Sequence, residues 1–252
     1  MFPGGTVPFC LETASGRPVI LHRTEQFVVV NKPAGMPTHP GPGCAPGSSL
    51  MTWLRRQLGR WVYPVHRLDA PVSGVLLMAL TPEVASLLAG QFAGRTVTKT
   101  YVGVCRGWLP DSGKIDHPLG RLDSSDTVIQ APQEAITVFS TLARWELPIA
   151  VRPYPTSRYC LVELQPLTGR THQLRRHLAS LSHPLIGDTR YGDGAHNRAY
   201  RSHLQVHRLL LHARDLEFQD PDSGEALSFT APFDQVWQGL LANENQIASI
   251  TS

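Results

Sequence analysis

Apolar and β-branched runs bounded by turn residues alternate along the chain with segments whose apolar residues recur at helical spacing. The runs predict strands and cover residues 27–31, 74–80, 100–104, 159–165 and 208–213. Helical spacing covers residues 50–58, 84–92 (after Thr81-Pro82) and 174–181. Because several strands accompany only a few helices, we expect an α+β fold with a large sheet rather than a regular βαβ alternation.

The length of 252 residues fits one large domain or two small ones. The Pro/Gly-rich stretch 37–49 predicts a loop, because proline and glycine oppose both helices and regular ladders. The sequence contains no fixed-period repeat and no long low-complexity linker. We therefore expect a single domain that spans 1–252.

Composition excludes several classes of protein. With 42% hydrophobic and 17% charged residues, the chain can fill a sizeable core. It has neither a membrane-length apolar run nor the features of a secretory signal, so we expect a cytoplasmic protein. The four cysteines are far apart and form no CxxC pair, which favours buried reduced thiols. The eleven histidines form no HExxH motif, and we expect no metal.

Basic charge is concentrated in two segments. The net charge is only +3, but residues 51–106 carry +5 and residues 158–214 carry +6, while the tail 215–252 carries −7. Twenty of the 23 basic residues are arginine. Arginine binds phosphate bidentately and stacks on bases, which points to nucleic acid, although a GC-rich genome would produce the same skew.

Asp69 is the only acidic residue between positions 26 and 82, a span that also holds five basic residues. Opposite charge nearby favours the ionised carboxylate, so Asp69 suits a base, a nucleophile or an anchor better than a general acid. The residues alone equally allow a structural role in which Asp69 pairs with an arginine and caps a turn.

A second polar cluster follows the strand predicted at 159–165. Arg170 precedes a predicted helix, where the positive end of the helix dipole disfavours a cation, so an anionic partner is expected. That partner is either Asp69 or RNA phosphate. Arg175 and Arg176 fall off the apolar stripe of the helix and should face solvent or a ligand.

Three motifs resemble, in order, those of the RluA family of pseudouridine synthases. They are HRLDAPVSG at 66–74, RTVTKTYVGVCRG at 95–107 and LTGRTHQLRRHLASLSHPLIGD at 167–188. The segments FVVVNKPAGMPTHPG at 27–41 and RLLLHARDLEF at 208–218 also match, so the resemblance covers about 27–233. VRPYPTSRYCLVELQPLTGR at 151–170 is similar to the subgroup that modifies tRNA.

The resemblance implies a bifurcated mixed sheet flanked by helices and loops, with a central RNA-binding cleft and no S4 domain. It implies an isomerase that detaches uracil from ribose, rotates it and rejoins it through carbon without a cofactor or metal. The subgroup implies tRNA position 65, in the T-stem, as the target of a monomeric enzyme. An rRNA or another tRNA site is the alternative.

The resemblance also implies roles for individual residues. Asp69 corresponds to the catalytic aspartate, acting as nucleophile or base, and Tyr101 to a tyrosine that stacks on the uracil and helps remove its C5 proton. Arg170 corresponds to the arginine that pairs with the aspartate. Leu174 would line the uracil pocket, and Arg67 would fill the gap left by the flipped base. Candidate RNA contacts are His66, Arg175 and Arg176.

Two positions depart from the family pattern. Ala70 stands where an arginine is usual and Val72 where a threonine is usual. Neither position supplies the chemistry, so we expect altered RNA contacts rather than an inactive enzyme. A non-catalytic RNA-binding protein is the alternative of another class, and a glycoside hydrolase is disfavoured because it normally needs a second nearby carboxylate.

Overall fold

A computed structural model describes residues 16–41, 44–123 and 127–248. These residues form ten strands and five helices. The strands are β1 (Val19–Arg23), β2 (Phe27–Lys32), β3 (Tyr63–Pro64), β4 (Ser73–Ala79), β5 (Thr98–Arg106), β6 (Ser112–Asp116), β7 (Ile136–Leu147), β8 (Ser157–Pro166), β9 (Leu211–Gln219) and β10 (Ala226–Thr230). The helices are α1 (Leu50–Leu58), α2 (Pro82–Ala93), α3 (Gln173–Ser180), α4 (Gly194–Leu204) and α5 (Gln235–Ala248).

The strands form one mixed sheet in the order β1-β2-β4-β9-β5-β8-β7-β6. The neighbours β4 and β9 run parallel and pair only over Ser73–Gly74 and His212–Ala213. Beyond that contact, β4 pairs with β3 and β9 pairs with β10. The sheet therefore splits between β4 and β9, which confirms both the α+β class and the expected bifurcation.

Gly74 allows the two halves of the sheet to meet. Its φ is +118°, and a Cβ at this position would lie 2.1 Å from the carbonyl oxygen of Ala213. Any other residue would push β9 away from β4, since such an approach is far inside van der Waals contact. Gly74 lies inside β4, and its lack of a side chain lets β9 approach.

Local sequence explains where the predicted helices begin. The Ser49 hydroxyl accepts a hydrogen bond from the Thr52 amide at the start of α1, and α1 ends at Gly59 in the left-handed conformation. Thr81 caps α2 in the same way, and Pro82 occupies its first turn. All three helices expected from the sequence are confirmed.

Alternating side chains of the central strands fill two cores on opposite faces of the sheet. Cys160, Val162 and Leu164 of β8 join a large core with β2, β4 and helices α1 to α3. Tyr159 and Leu161 of the same strand join a second core with α4 and α5. Helix α3, which carries the third motif, therefore packs against the first core.

The strand predicted at 208–213 begins later in the structure. Residues 208–210 precede β9 instead of opening it, because the backbone of Leu210 bonds to Ile186 and Val104 outside the ladder to β4.

Cys44, Cys105 and Cys160 are free thiols, two of them buried, whereas Cys10 lies outside the described residues. In the described part of the chain, no helix could span a membrane and no cluster of ligating side chains could hold a metal ion.

Candidate active site

A cleft of about 500 Å³ opens where the 66–72 loop, the start of β5, the end of β8 and the start of α3 converge. Its volume lies within the range of about 300–1,000 Å³ typical of small-molecule sites. Asp69 is the one acidic residue among the described residues that line it, whereas Arg67, Lys99, Arg170 and Arg175 contribute positive charge. The cleft thus surrounds a single carboxylate with cations.

The loop that carries Asp69 is fixed on both sides of the aspartate. The Thr38 hydroxyl donates to the Leu68 carbonyl (2.8 Å) and accepts from the Leu68 amide (3.3 Å). The Ala70 carbonyl accepts from the Gly35 amide (2.8 Å) and from Lys32 Nζ (3.1 Å). The segment after β2 therefore holds the backbone at both neighbours of Asp69.

Lys32 is a fully buried cation that organises this segment. Its Nζ also donates to the carbonyls of Pro33 (2.9 Å) and Met36 (2.8 Å). Burial lowers the pKa of Lys32 to about 7, and the negative charge of Asp69 opposes that shift. Its three carbonyl partners explain why a lysine ends strand β2.

The Asp69 side chain is 17% exposed, and both of its close partners lie on the same oxygen. Arg175 Nη1 donates to Oδ2 at 3.2 Å, and His172 Nε2 lies 3.6 Å from Oδ2. Within the described residues, Oδ1 accepts no hydrogen bond. The arrangement leaves one carboxylate oxygen available to a molecule in the cleft.

Arg175 is oriented by a second carboxylate behind it. Its Nε and Nη2 donate to Asp188 at 2.7 and 2.8 Å, a bidentate pair. Burial acts to raise the pKa of Asp188, but the hydrogen bonds and charge of Arg175, with the amides of Tyr191 and Arg190, hold it below its ordinary value. Asp188 therefore stays ionised and fixes the guanidinium that reaches Asp69.

The expected pairing of Arg170 with Asp69 is wrong, because Arg175 occupies that place. Arg170 lies in the turn before α3, and its Nε donates to the Glu134 carbonyl at 3.0 Å. Arg175 lies inside the first turn of the helix and is 5% exposed, so of the two surroundings expected for it, solvent or a ligand, it has the cleft and not open solvent. Arg170 nevertheless lines the cleft.

Arg176 points away from the cleft. Its Nη1 donates to the carbonyl of Gly120 at 2.8 Å, and it does not line the cavity. Successive residues of a helix face directions about 100° apart, so Arg175 and Arg176 cannot share a surface. Of the two adjacent arginines, Arg175 therefore belongs to the site, and Arg176 bonds α3 to the 119–121 segment.

Gln173 fixes the start of α3. Its Oε1 accepts from the Thr168 hydroxyl (2.7 Å) and the Arg170 amide (3.0 Å). Its Nε2 donates to the Ile136 carbonyl (2.9 Å) and the Thr137 hydroxyl (3.1 Å). All four bonds of the amide are used, so the turn between β8 and α3 is held against β7.

Tyr101 lines the cleft from β5. A register shift between Thr100 and Tyr101 in the pairing with β9 interrupts the ladder there, and such a shift re-aims side chains. Burial, together with the charge of Asp69, raises the pKa of Tyr101 well above its ordinary value. The phenol is therefore neutral, which suits a ring that stacks on a base better than a proton acceptor.

The other candidate residues differ in exposure. Leu174 is buried and Arg67 exposed, and both line the cleft. His66 also lines it, but its Nε2 accepts from the Leu77 amide (2.9 Å) and its ring stacks on Phe92. Burial lowers the pKa of His66 to about 3, so its imidazole is neutral and braces the 66–72 loop against β4.

Ala70 and Val72, which depart from the family motif, both fit their surroundings in the structure. Ala70 contributes its carbonyl to Lys32 and Gly35, a role that needs no particular side chain. Val72 is 3% exposed and belongs to the first core while also lining the cleft. An apolar side chain fits that environment.

The fold is a mixed sheet that splits at its centre, and a basic cleft beside the split presents one carboxylate, that of Asp69. Residues 26–180 match the family described as RNA pseudouridylate synthase, and the chain belongs to that family. It is therefore an isomerase that converts uridine to pseudouridine in RNA.

Curated relatives agree over most of the chain. It is 44% identical to tRNA pseudouridine synthase C of Vibrio cholerae, covering 88% of this chain and 94% of that protein. It is 47% identical to the enzyme of the same name from Pasteurella multocida, with the same coverage.

Solved structures give the same fold. Human RNA pseudouridylate synthase domain containing 1 superposes with a TM-score of 0.69 at 28% identity, covering 88% of this chain and 86% of that chain. Human RNA pseudouridylate synthase domain containing 4 gives 0.67 at 26% identity, covering 88% and 91%.

Sequence reasoning missed four residues that organise the site: Lys32, Gln173, Asp188 and Tyr191. Asp188 and Gln173 lay inside the third motif, and an acidic residue within a basic segment was a signal that could have identified Asp188. Tyr191 gave no signal, because its bond to His172 depends on how the 188–193 loop folds back on α3.

Proposed function

We propose that this enzyme isomerises uridine 65 in the T-stem of tRNA, with Asp69 as the catalytic residue. The observation that carries the chemistry is the carboxylate in the cleft, which has one oxygen on Arg175 and one oxygen without a protein partner among the described residues. The tRNA substrate is supported by relatives at 44–47% identity that are named tRNA pseudouridine synthase C.

Asp69 acts by one of two routes. As a nucleophile, Oδ1 forms a bond to ribose C1′ while the bond from C1′ to uracil N1 breaks, and uracil leaves with the electron pair. As a base, Asp69 removes the ribose 2′ proton and a glycal forms as uracil departs. In both routes Arg175 holds the carboxyl group through Oδ2, and uracil rotates so that C5 bonds to C1′. In the first route the C1′–Oδ1 bond breaks as the C1′–C5 bond forms, and in the second Asp69 returns the proton to the ribose 2′ carbon. The C5 proton then leaves to Asp69 or water, and uracil N1 takes up a proton.

The remaining residues position the nucleotide. The ring of Tyr101 stacks on uracil, and Leu174 supplies an apolar wall. Arg67, exposed at the mouth of the cleft, stacks in the RNA gap left by base flipping, whose cost is a few kcal/mol. Arg170 binds phosphate at the rim. The expected monomer, acting on tRNA in the cytoplasm, belongs to the same proposal.

The test is site mapping on unmodified RNA. Purified protein is incubated with tRNA transcripts and rRNA fragments, and pseudouridines are read as carbodiimide-dependent reverse-transcription stops. We expect one new stop at tRNA position 65 with wild type and none with Asp69→Asn. A stop in rRNA alone would overturn the tRNA assignment, and stops made by Asp69→Asn would overturn the role of Asp69.

A further inference from the structure

His172 contacts two residues of the site through its two ring nitrogens. Nδ1 lies 2.9 Å from the Tyr191 hydroxyl, and Nε2 lies 3.6 Å from Asp69 Oδ2. The side chain is 14% exposed and lines the cleft. The imidazole therefore lies between the 188–193 loop and the carboxylate.

The backbone of His172 is left-handed. It lies at the N-terminal cap of α3 with φ +54° and ψ +27°, and its side chain makes no capping bond. Histidine enters this region more often than most side chains, as asparagine and aspartate do. The imidazole is not used for capping, and its contacts lie in the cleft instead.

The neighbours of the His172 ring favour one tautomer. Burial lowers the pKa of His172, opposed by the charge of Asp69 and reinforced by that of Arg175, which favours the neutral ring with one N–H. The Nε2–H tautomer suits both neighbours, because Nε2 faces a carboxylate, which accepts, and Nδ1 is left to accept from the Tyr191 hydroxyl.

Tyr191 bonds to Asp188, the same residue that orients Arg175. Its amide donates to Asp188 Oδ1 at 3.0 Å, and its ring lies 5.2 Å from the Arg175 guanidinium. One loop therefore directs two donors, Arg175 and His172, at the same oxygen of Asp69.

We propose that His172, held by Tyr191, is a positioning residue that fixes Asp69 by its Oδ2 and so directs Oδ1 at the ribose. At 3.6 Å the Nε2 contact is longer than a hydrogen bond, and it shortens when a nucleotide excludes water from the cleft. The proposal rests on the proposed function in that Asp69 is the reacting carboxylate.

Two substitutions separate this role from a purely backbone one. His172→Gln keeps an N–H donor near the place of Nε2, whereas His172→Asn is too short to reach Asp69 but suits the left-handed backbone better. Positioning predicts that the Gln variant keeps kcat within about fivefold of wild type and the Asn variant loses about 100-fold, with KM within about twofold for both. The reverse order, with Asn near wild type, overturns the proposal.

A measurement on the free protein makes the test independent of the RNA. Nitrogen-15 NMR of the His172 ring should show the Nε2–H tautomer, and Tyr191→Phe should shift it toward a mixture by removing the donor to Nδ1. An Nδ1–H tautomer in wild type overturns the proposal whatever the substrate. If wild type modifies no tRNA, the tRNA assignment fails, while the tautomer still decides the orientation of His172.

Discussion

The two sides of helix α3 carry buried polar networks of opposite character. The inner network, on the side that faces β7, consists of His117, Thr137, Gln173 and His177. The cleft network, on the other side, consists of Asp69, His172, Arg175, Asp188 and Tyr191. The two share one short helix, yet one is closed and the other is open.

The inner network is complete. The His117 carbonyl can only accept, so His177 Nε2 donates to it at 3.0 Å, and His177 Nδ1 accepts from the Thr137 hydroxyl at 2.9 Å. Thr137 in turn accepts from Gln173 Nε2. Every donor has an acceptor, and buried networks of this kind fix geometry.

The cleft network ends at a free acceptor. Asp188 is satisfied by Arg175 and two amides, but in the described structure Asp69 Oδ1 has no donor. The difference shows that the same helix contributes to a closed, rigid network on one side and, on the other, supplies the arginine that holds the carboxylate of Asp69. Substitutions on the two sides should therefore affect different quantities.

The largest effect is expected at the open end of the cleft network. Asp69→Asn removes the nucleophile or base but keeps the volume, so pseudouridine formation should fall by at least about 1,000-fold in single-turnover assays. Thermal unfolding should change little. Asp116→Asn, at an exposed ion pair with Lys114, is the matched control and should leave the rate unchanged.

The next effect is expected at Arg175, which affects both rate and stability. Arg175→Met leaves Asp188 buried without its ion-pair partner, so the free energy of unfolding should fall by about 3–5 kcal/mol in denaturant titrations. The kcat of the folded fraction should fall about 100-fold, because Asp69 also loses its donor. Arg176→Met, its neighbour outside the cleft, should show neither loss, and equal losses would argue against the division between the two arginines.

Breaking the inner network should lower stability alone. His177→Leu leaves the Thr137 O–H without its acceptor and the His117 carbonyl without its donor, which should cost about 2 kcal/mol of unfolding free energy. Activity per folded molecule should stay within about threefold, since His177 does not line the cleft. A loss of kcat comparable to that of Arg175→Met would show that the two sides of α3 are not separable.

Acid should destabilise the protein through its buried neutral histidines. Burial lowers the pKa of His177, and it lowers that of His212 to about 4. The unfolded chain then binds protons that the folded chain does not, so stability is full above about pH 6.5 and falls as pH drops toward 4, by up to about 1.4 kcal/mol per pH unit for each group. Unfolding titrations from pH 7 to 4 measure the slope, which His177→Leu should reduce. A flat profile would contradict buried neutral imidazoles.

The smallest effect is expected at Arg170, on the rim. Arg170→Met should raise KM about threefold at low salt and less at high salt, because a lost phosphate contact is screened by counterions. Its kcat should remain near that of wild type. A loss of kcat as large as that of Arg175→Met would restore Arg170 as the partner of the aspartate.

Local patterns were enough to predict the elements that carry the motifs. The runs at 27–31 and 159–165 lie within β2 and β8, and the helical spacings at 50–58 and 174–181 correspond to α1 and α3. Strand β7 was missed even though it has twelve residues, because residue type does not follow burial along it: Leu142 is exposed and Thr137 is fully buried, which hides the alternation. Helices α4 and α5 were also missed, and α4 is mostly polar, with Tyr200 as its buried residue.

Asp69 stood out in the sequence because a lone carboxylate among cations is visible without coordinates. Its partner did not, since Arg170 and Arg175 have the same chemistry and lie only five residues apart. The choice depends on the helical phase of α3 and on Asp188, thirteen residues further along the chain. Charge patterns give the chemistry available to a site but not the distances within it.

By itself, the sequence determined the elements that carry the motifs, the basic character of two segments and the family, because these depend on residue type and local order. Only the tertiary structure decided where the sheet splits, at Gly74 against Ala213, and which donors reach Asp69. Both depend on contacts between segments more than 100 residues apart. Such contacts are set by packing across the whole sheet, and a local sequence pattern does not encode that packing.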